Sequence, residues 1–259
     1  MNKILWMFVG PCALAMAAVW AVPASAQTPE VKEKPPQYSY ASFWTIPRGQ
    51  WPEMAKADAA DKPIFDKAIA DGTIIGYGND TNLIHQPDVD THADWWSSMS
   101  MAGLLKVLSQ LDSADRNVSP VLQSATKHWD EIIVSRYYNW RSGSWQGLYT
   151  HASWYKLKPD APNDAVDVLS KNLLAPLLEK LFAEGTLLQY EIDTEAVHTD
   201  TPGRFWIFCI AKNADAIDKI NAAVRDTMKS NPLGAAAFDS MVDFTAHHDE
   251  LVRSSATYK

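Results

Sequence analysis

Two short stretches set aromatic, hydroxyl and imidazole groups on alternate residues, the spacing that lines up side chains on one face of a strand. One is Tyr40, Ser42 and Trp44 in YASFW, and the other is His151, Ser153 and Tyr155 in HASWY. A wall of that composition suits a small-ligand cavity, with rings for contact area and polar groups for orientation. His151 is the only histidine in the two sets and is the candidate acid–base group, because imidazole titrates near neutral pH. Its counterpart in the first stretch is Tyr40, so the two stretches differ where a single asymmetric ligand would require it. The competing reading is a core filled by its own aromatics, with hydroxyls satisfied internally.

Other polar groups recur at matched places. Asp80 and His85 are repeated as Asp193 and His198. An aspartate can orient a histidine and raise its basicity, or the four can simply build loop turns. His128-x-Asp130-Glu131 and His247-His248-Asp249-Glu250 contain metal-ligand residue types, but the spacing matches no specific metal motif, and no metal is assigned. Cys209 lies in the apolar run FWIFCI and reads as core. The chain has no GxSxG, P-loop or GxGxxG signature, and no cofactor is assigned.

The elements that must position these groups are written twice. KPIFDKAIADGTIIGYGNDTNLIH lies over APLLEKLFAEGTLLQYEIDTEAVH without a gap, with Pro63/Pro176, Gly72/Gly185, Tyr77/Tyr190, Asp80/Asp193 and His85/His198 identical. A self-match of this length marks a duplicated supersecondary unit. Each copy reads as a strand (40–46; 150–155), a helix, a second strand after the glycine (73–78; 186–192), a polar loop, a third strand (94–99; 204–210) and a further helix. Each then closes with a short helix over 128–133 or 247–252 and a last strand at 136–140 or 255–258. Pro63 and Pro176 fall inside the first helices and predict a kink or break in both. Gly72 and Gly185 sit where a helix C-terminus needs positive φ.

The order β-α-β-β-α-(α)-β is that of ferredoxin-like domains. It resembles the dimeric α/β-barrel superfamily, which includes antibiotic-biosynthesis-type monooxygenases and stress-responsive A/B-barrel proteins, here with two copies fused. The resemblance implies an α+β fold in which the two sheets pack as an intramolecular barrel. It also implies a chain that is stable as a monomer, and functions ranging from oxygenase and isomerase to no known activity. On this reading the Tyr40 and His151 faces line the barrel interior.

The remaining bounds come from composition. Residues 1–26 combine Lys3, an apolar run and Ala24-Ser25-Ala26, the pattern of a secretory signal peptide, so the expected location is periplasmic or secreted. Residues 27–37 (QTPEVKEKPPQ) read as a disordered tether, 38–140 as the first repeat, 141–148 as a linker and 149–259 as the second repeat. A formal net charge of −8 without a basic cluster argues against nucleic acid, and no later stretch is apolar enough to cross a bilayer. Of the two cysteines, Cys12 falls in the signal, which leaves Cys209 without a disulfide partner. The expected function is to bind a small aromatic or apolar molecule in the barrel. The alternatives are a cofactor-independent monooxygenase or isomerase using His151, and a non-catalytic structural module.

Overall fold

Alternation of small and aromatic residues builds the strands, and the two stretches singled out above lie at the centre of the sheet. The computed structural model describes residues 31–86, 89–114, 116–198 and 202–259. The first repeat runs β1 (Gln37–Thr45), α1 (Trp51–Ala70), β2 (Gly76–Asn82), β3 (His92–Ser98), α2 (Met101–Ser113), α3 (Pro120–Gln123) and β4 (Lys127–Trp140). The second runs β5 (Gly143–Lys156), α4 (Ala165–Leu169), α5 (Ala175–Ala183), β6 (Leu187–Glu195), β7 (Arg204–Ala211), α6 (Ala214–Ser230), α7 (Pro232–Met241) and β8 (His248–Tyr258).

The strands close into one antiparallel barrel in the order β1-β3-β2-β8-β5-β7-β6-β4. Each repeat supplies four consecutive strands, β4-β1-β3-β2 and β8-β5-β7-β6, and the seams are the β2–β8 and β4–β6 ladders. This is an α+β fold of two fused ferredoxin-like repeats. Both repeat glycines have positive φ, +78° at Gly72 and +76° at Gly185, where the chain leaves its helix.

Several local expectations are corrected. Residues 128–133 and 247–252 are not helical: nearly all of both stretches belongs to β4 and β8. Their polar residues alternate between the lumen and the helix side, which a strand permits and a helix would scatter. Only Arg141 and Ser142 separate β4 from β5, so most of the expected linker is strand. Residues 1–26, the expected signal, lie outside the described residues, as do 27–30 of the expected tether. From Glu33 onward the tether segment lies on β4: Glu33 pairs with Arg136, Lys34 N–H donates to the Arg136 carbonyl, Tyr138 Oη donates to the Pro35 carbonyl, and Gln37 is already in β1. Pro63 is carried within a continuous α1. Pro176 stands in the first turn of α5, after a π-helical turn at Ser170–Leu174 that absorbs the irregularity.

The largest correction is which sheet face is inside. Ser39, Ala41 and Phe43 of β1, and Thr150, Ala152 and Trp154 of β5, face the lumen. Tyr40, Ser42, Trp44, His151, Ser153 and Tyr155 face the helices. Both faces carry rings: in the lumen Ala41, Ala93 and Ala152 make room for Phe43, Trp154 and Trp206, while Tyr40 packs against Phe65 and Leu104 of the helices. At Gly76 and Gly78 even a Cβ would fall 2.4 Å from ring atoms of Tyr258 and Trp95, which fill the lumen there.

Candidate functional site

The second repeat has a cavity of about 330 Å³ between its sheet and its helices. The sheet supplies His151, Ser153, Tyr155, Ile207, Cys209 and Asp249. The helices supply an almost wholly apolar wall that includes Leu173, Leu177, Ile220, Val224, Met228 and Phe238. Helical spacing on α6, which Asn213 caps by accepting from Ala216 N–H, brings Ile220, Val224 and Met228 onto this face.

The polar end is organised by Asp249. Ser153 Oγ donates to Asp249 Oδ1 at 2.7 Å, and His151 Nε2 lies 3.3 Å from the same oxygen. His247 Nε2 lies 3.4 Å from Oδ2, while its Nδ1 is 2.9 Å from the Trp154 carbonyl. Tyr155 stacks on the His247 ring with centroids 4.4 Å apart. These groups meet because β5 and β8 pair in a register that sets Ser153 opposite Asp249 and His151 opposite Leu251. Burial alone would raise the Asp249 carboxyl, but the bonds from His151 and Ser153 and the charges of His151 and His247 outweigh it and hold it at about 2. Burial, with the Asp249 charge, pushes Tyr155 up to about 12, so its phenol stays protonated at neutral pH. Ser153 is bonded to the carboxylate and not to a histidine, so the site lacks the Ser–His–Asp order that activates a serine nucleophile.

The first repeat carries the same frame. Ser42 Oγ donates to Asp130 Oδ1 at 2.7 Å, His128 Nε2 is 3.4 Å from Asp130, and His128 Nδ1 is 3.0 Å from the Phe43 carbonyl. Trp44 stacks on His128 at 3.6 Å, as Tyr155 does on His247. The frame differs at one place. Tyr40 faces Trp96 across β1 and β3, stacked at 4.4 Å; the corresponding pair across β5 and β7 is His151 and Cys209. Two rings in one half give way to an imidazole and a thiol in the other, and the second half has the cavity.

The predicted residues thus separate into groups. His151, Ser153 and Tyr155 line one cavity, though not the central one. Tyr40, Ser42 and Trp44 form the packed counterpart. Asp80 and Asp193 are on β2 and β6, not in loops, and point into the lumen away from His85 and His198. His85 instead meets the Asn82 carbonyl at 3.0 Å, and His198 is exposed at the edge of a separate groove. Asp249, His247 and Cys209 complete the site. The sequence signal for them was the register itself, since aligning the third strands sets Trp96 against Cys209. Burial pushes the Cys209 thiol up to about 12, which removes it as a nucleophile. Among the described residues no group of three His, Cys, Asp or Glu side chains could hold a metal ion.

No sequence family and no curated protein matches the chain. Solved structures do. A proposed monooxygenase from Lactobacillus acidophilus superposes with a TM-score of 0.61 at 12% identity, covering 87% of this chain and 97% of its own. A second, from Fusobacterium nucleatum, gives 0.63 at 12%, covering 87% and 95%. An anthrone oxidase-like protein gives 0.51 at 9%, covering 86% and 92%. The chain has the dimeric α/β-barrel fold. In this dimeric α/β barrel both halves of the dimer are repeats of one polypeptide, and that fusion lets the two helix-covered faces diverge into one packed and one open.

Proposed function

We propose that the chain binds a flat apolar molecule between the sheet and helices of its second repeat, and that His151 takes a proton from it. The observation that supports this most is the distribution of polarity in the cavity: apolar along the helices, with the titratable groups gathered at the β5–β8 end. His151 turns Nε2 to Asp249, which leaves Nδ1 to act as the base. Asp249, held ionised by Ser153 and His247, stabilises the imidazolium that forms. A carbon acid deprotonated in this way gives a carbanion that can react directly with dioxygen, which is monooxygenase chemistry without a cofactor. The likeness to proposed monooxygenases and to an anthrone oxidase-like protein is one of fold, and it selects the reaction to try first.

Anthrone is the natural probe. Its acidic methylene lies on a flat three-ring body, and anthrone with one dioxygen gives anthraquinone and one water. The wild-type chain should accelerate oxygen uptake and anthraquinone formation over buffer. His151→Ala should abolish the acceleration while anthrone binding, read by quenching of tryptophan fluorescence, survives. Binding without turnover in the wild type would leave a carrier and overturn the catalytic role. Turnover unchanged in His151→Ala would overturn the assignment of the base. On the signal pattern of residues 1–26 we assign the activity to the periplasm or exterior, and N-terminal sequencing of protein from its source should begin at Gln27.

A further inference from the structure

The barrel has a second cavity, of about 400 Å³, at the end where β4 and β8 begin and β5 finishes. It lies across the β5–β8 ladder from the His151 pocket: Ser153 and Asp249 face one side, Trp154, His248 and Glu250 the other. We propose that this mouth is a second ligand site, for a small organic ammonium ion whose nitrogen is held by Asp90 and Glu250 and whose apolar body lies on Trp129 and Trp154.

Three observations support it. The first is an unmet polar demand. Asp90 lines the cavity and is only 3% exposed, and its Oδ1 has no hydrogen-bond partner among the described residues. A buried carboxylate oxygen left unpaired costs free energy that a bound cation would recover.

The second is charge. The cations nearby are Arg204 and Lys156, and Arg204 is already committed, with Nη1 3.0 Å from Glu131 and Nη2 2.9 Å from Glu195. Among the described residues Glu250 has only His248 Nε2, at 3.6 Å, as an ionic neighbour. Deeper in the lumen Asp80, Glu191 and Asp193 add further carboxyls. Burial first, then the charges of Glu250, Asp80 and Glu131, raise Asp90 to about 8, the behaviour of a buried acid among like charges; Lys156, which also lines the mouth, makes no ion pair with it among the described residues. An anionic ligand would meet this same field as repulsion.

The third is the lining of aromatic faces. Trp129 stacks on Phe43 with centroids 5.2 Å apart, and Trp154 stacks on His248 at 5.2 Å and meets Trp206 edge-on at 5.6 Å. Indole faces beside carboxylates are the usual receptor for ammonium groups, through ring quadrupole and ion pairing together. The site shares only Tyr155 with the helix-side pocket and stands whether or not His151 is a base.

The test uses benzylamine and its neutral isostere benzyl alcohol in calorimetric titrations of the full chain. Benzylamine should bind at least tenfold more tightly than the alcohol. Asp90→Asn and Glu250→Gln, isosteric and confirmed folded by thermal melting, should each lower its affinity about tenfold and erase the preference. His151→Ala should leave it unchanged. Equal binding of the two probes, no benzylamine binding at millimolar concentration, or insensitivity to both carboxylate variants would overturn the proposal. Loss of binding in His151→Ala would also overturn it, by moving the amine to the other pocket.

Discussion

His151 and Cys209 are register partners on β5 and β7, at the point where β1 and β3 set Tyr40 against Trp96. The cavity of the second repeat is therefore a matter of side-chain volume on a conserved frame, since Ser42, Asp130 and His128 reproduce Ser153, Asp249 and His247 almost atom for atom. The double variant His151→Tyr/Cys209→Trp should refill the space. It should keep the fold, lose binding of aromatic probes and shed water from the site. Cys209→Trp alone, set against a native imidazole, should cost about 1–3 kcal/mol from overpacking. Undiminished probe binding by the double variant would show that the ligand sits elsewhere.

The duplication made the fold legible, because a repeated β-α-β-β-α order leaves few ways to bury two sheet faces. The face assignment was not legible. Alternation tells that Tyr40, Ser42 and Trp44 share a side, but both sides of a helix-covered barrel strand are buried, so period alone gives no direction. The packing partners decide it: Tyr40 clusters with Phe65 and Leu104 of the helices, and Ala41 and Ala152 cluster with Phe43 and Trp154 in the lumen. Nor was Asp249 legible as the centre of the site, since HHDE reads as a polar helix end until β8 is paired to β5.

Asp80 and Asp193 face that lumen with carboxyls that burial pushes up, Asp80 to about 7 and Asp193 in the same direction with help from Glu191. Neither oxygen of Asp193 has a hydrogen-bond partner among the described residues, and the residue is 0% exposed. A carboxyl whose folded value lies above its unfolded one near 4 keeps its proton longer in the native state, so native stability falls as pH rises from about 4 to 7. Asp80→Asn should therefore raise stability at pH 8 by about 1–3 kcal/mol and do nothing at pH 4. Denaturant melts at the two pH values check this. A gain at pH 4 equal to that at pH 8 would mean the effect is packing and not charge.

Asp249 has the opposite sign. With its carboxyl held at about 2, its contribution is present above the unfolded value near 4 and is lost as pH falls from about 4 through 2. Its side chain is 46% exposed, so solvent screens much of the effect. Asp249→Asn should melt below the wild type at pH 6, and the gap should close by pH 2. The same variant should weaken turnover more than binding, since the carboxylate acts on the imidazolium that forms. A gap that persists undiminished at pH 2 would trace the loss to hydrogen-bond geometry alone.

Gly185 shows the backbone effect in isolation: its φ is +76° and no atom lies within 4 Å of where a Cβ would stand. Alanine there should cost roughly 1 kcal/mol through conformational strain alone. At Gly72, φ is +78° and the Lys259 Nζ is 3.3 Å from the Cβ position, an easily moved neighbour, so the cost should be about the same. Matching losses in thermal melts would confirm that the two helix ends are equivalent, and a neutral Gly185→Ala would refute the strain.

Closure of the barrel leads to the remaining expectation. Every strand is paired on both sides, so the sheet presents no unpaired edge to a second chain. The seams that close it, Gly76–Asn82 against β8 and Ile133–Trp140 against β6, join one repeat to the other within the chain. Dimerisation through the sheet faces would expose what those seams now satisfy, and the backbone groups freed would each need a new partner. The chain should therefore sediment as a monomer at micromolar concentration. Separated repeats, cut between Arg141 and Ser142, should associate with each other or aggregate, because each alone exposes two ladder edges and the rings of its lumen face. A stable dimer of the intact chain that dissociates only on unfolding would show instead that the repeats exchange between chains.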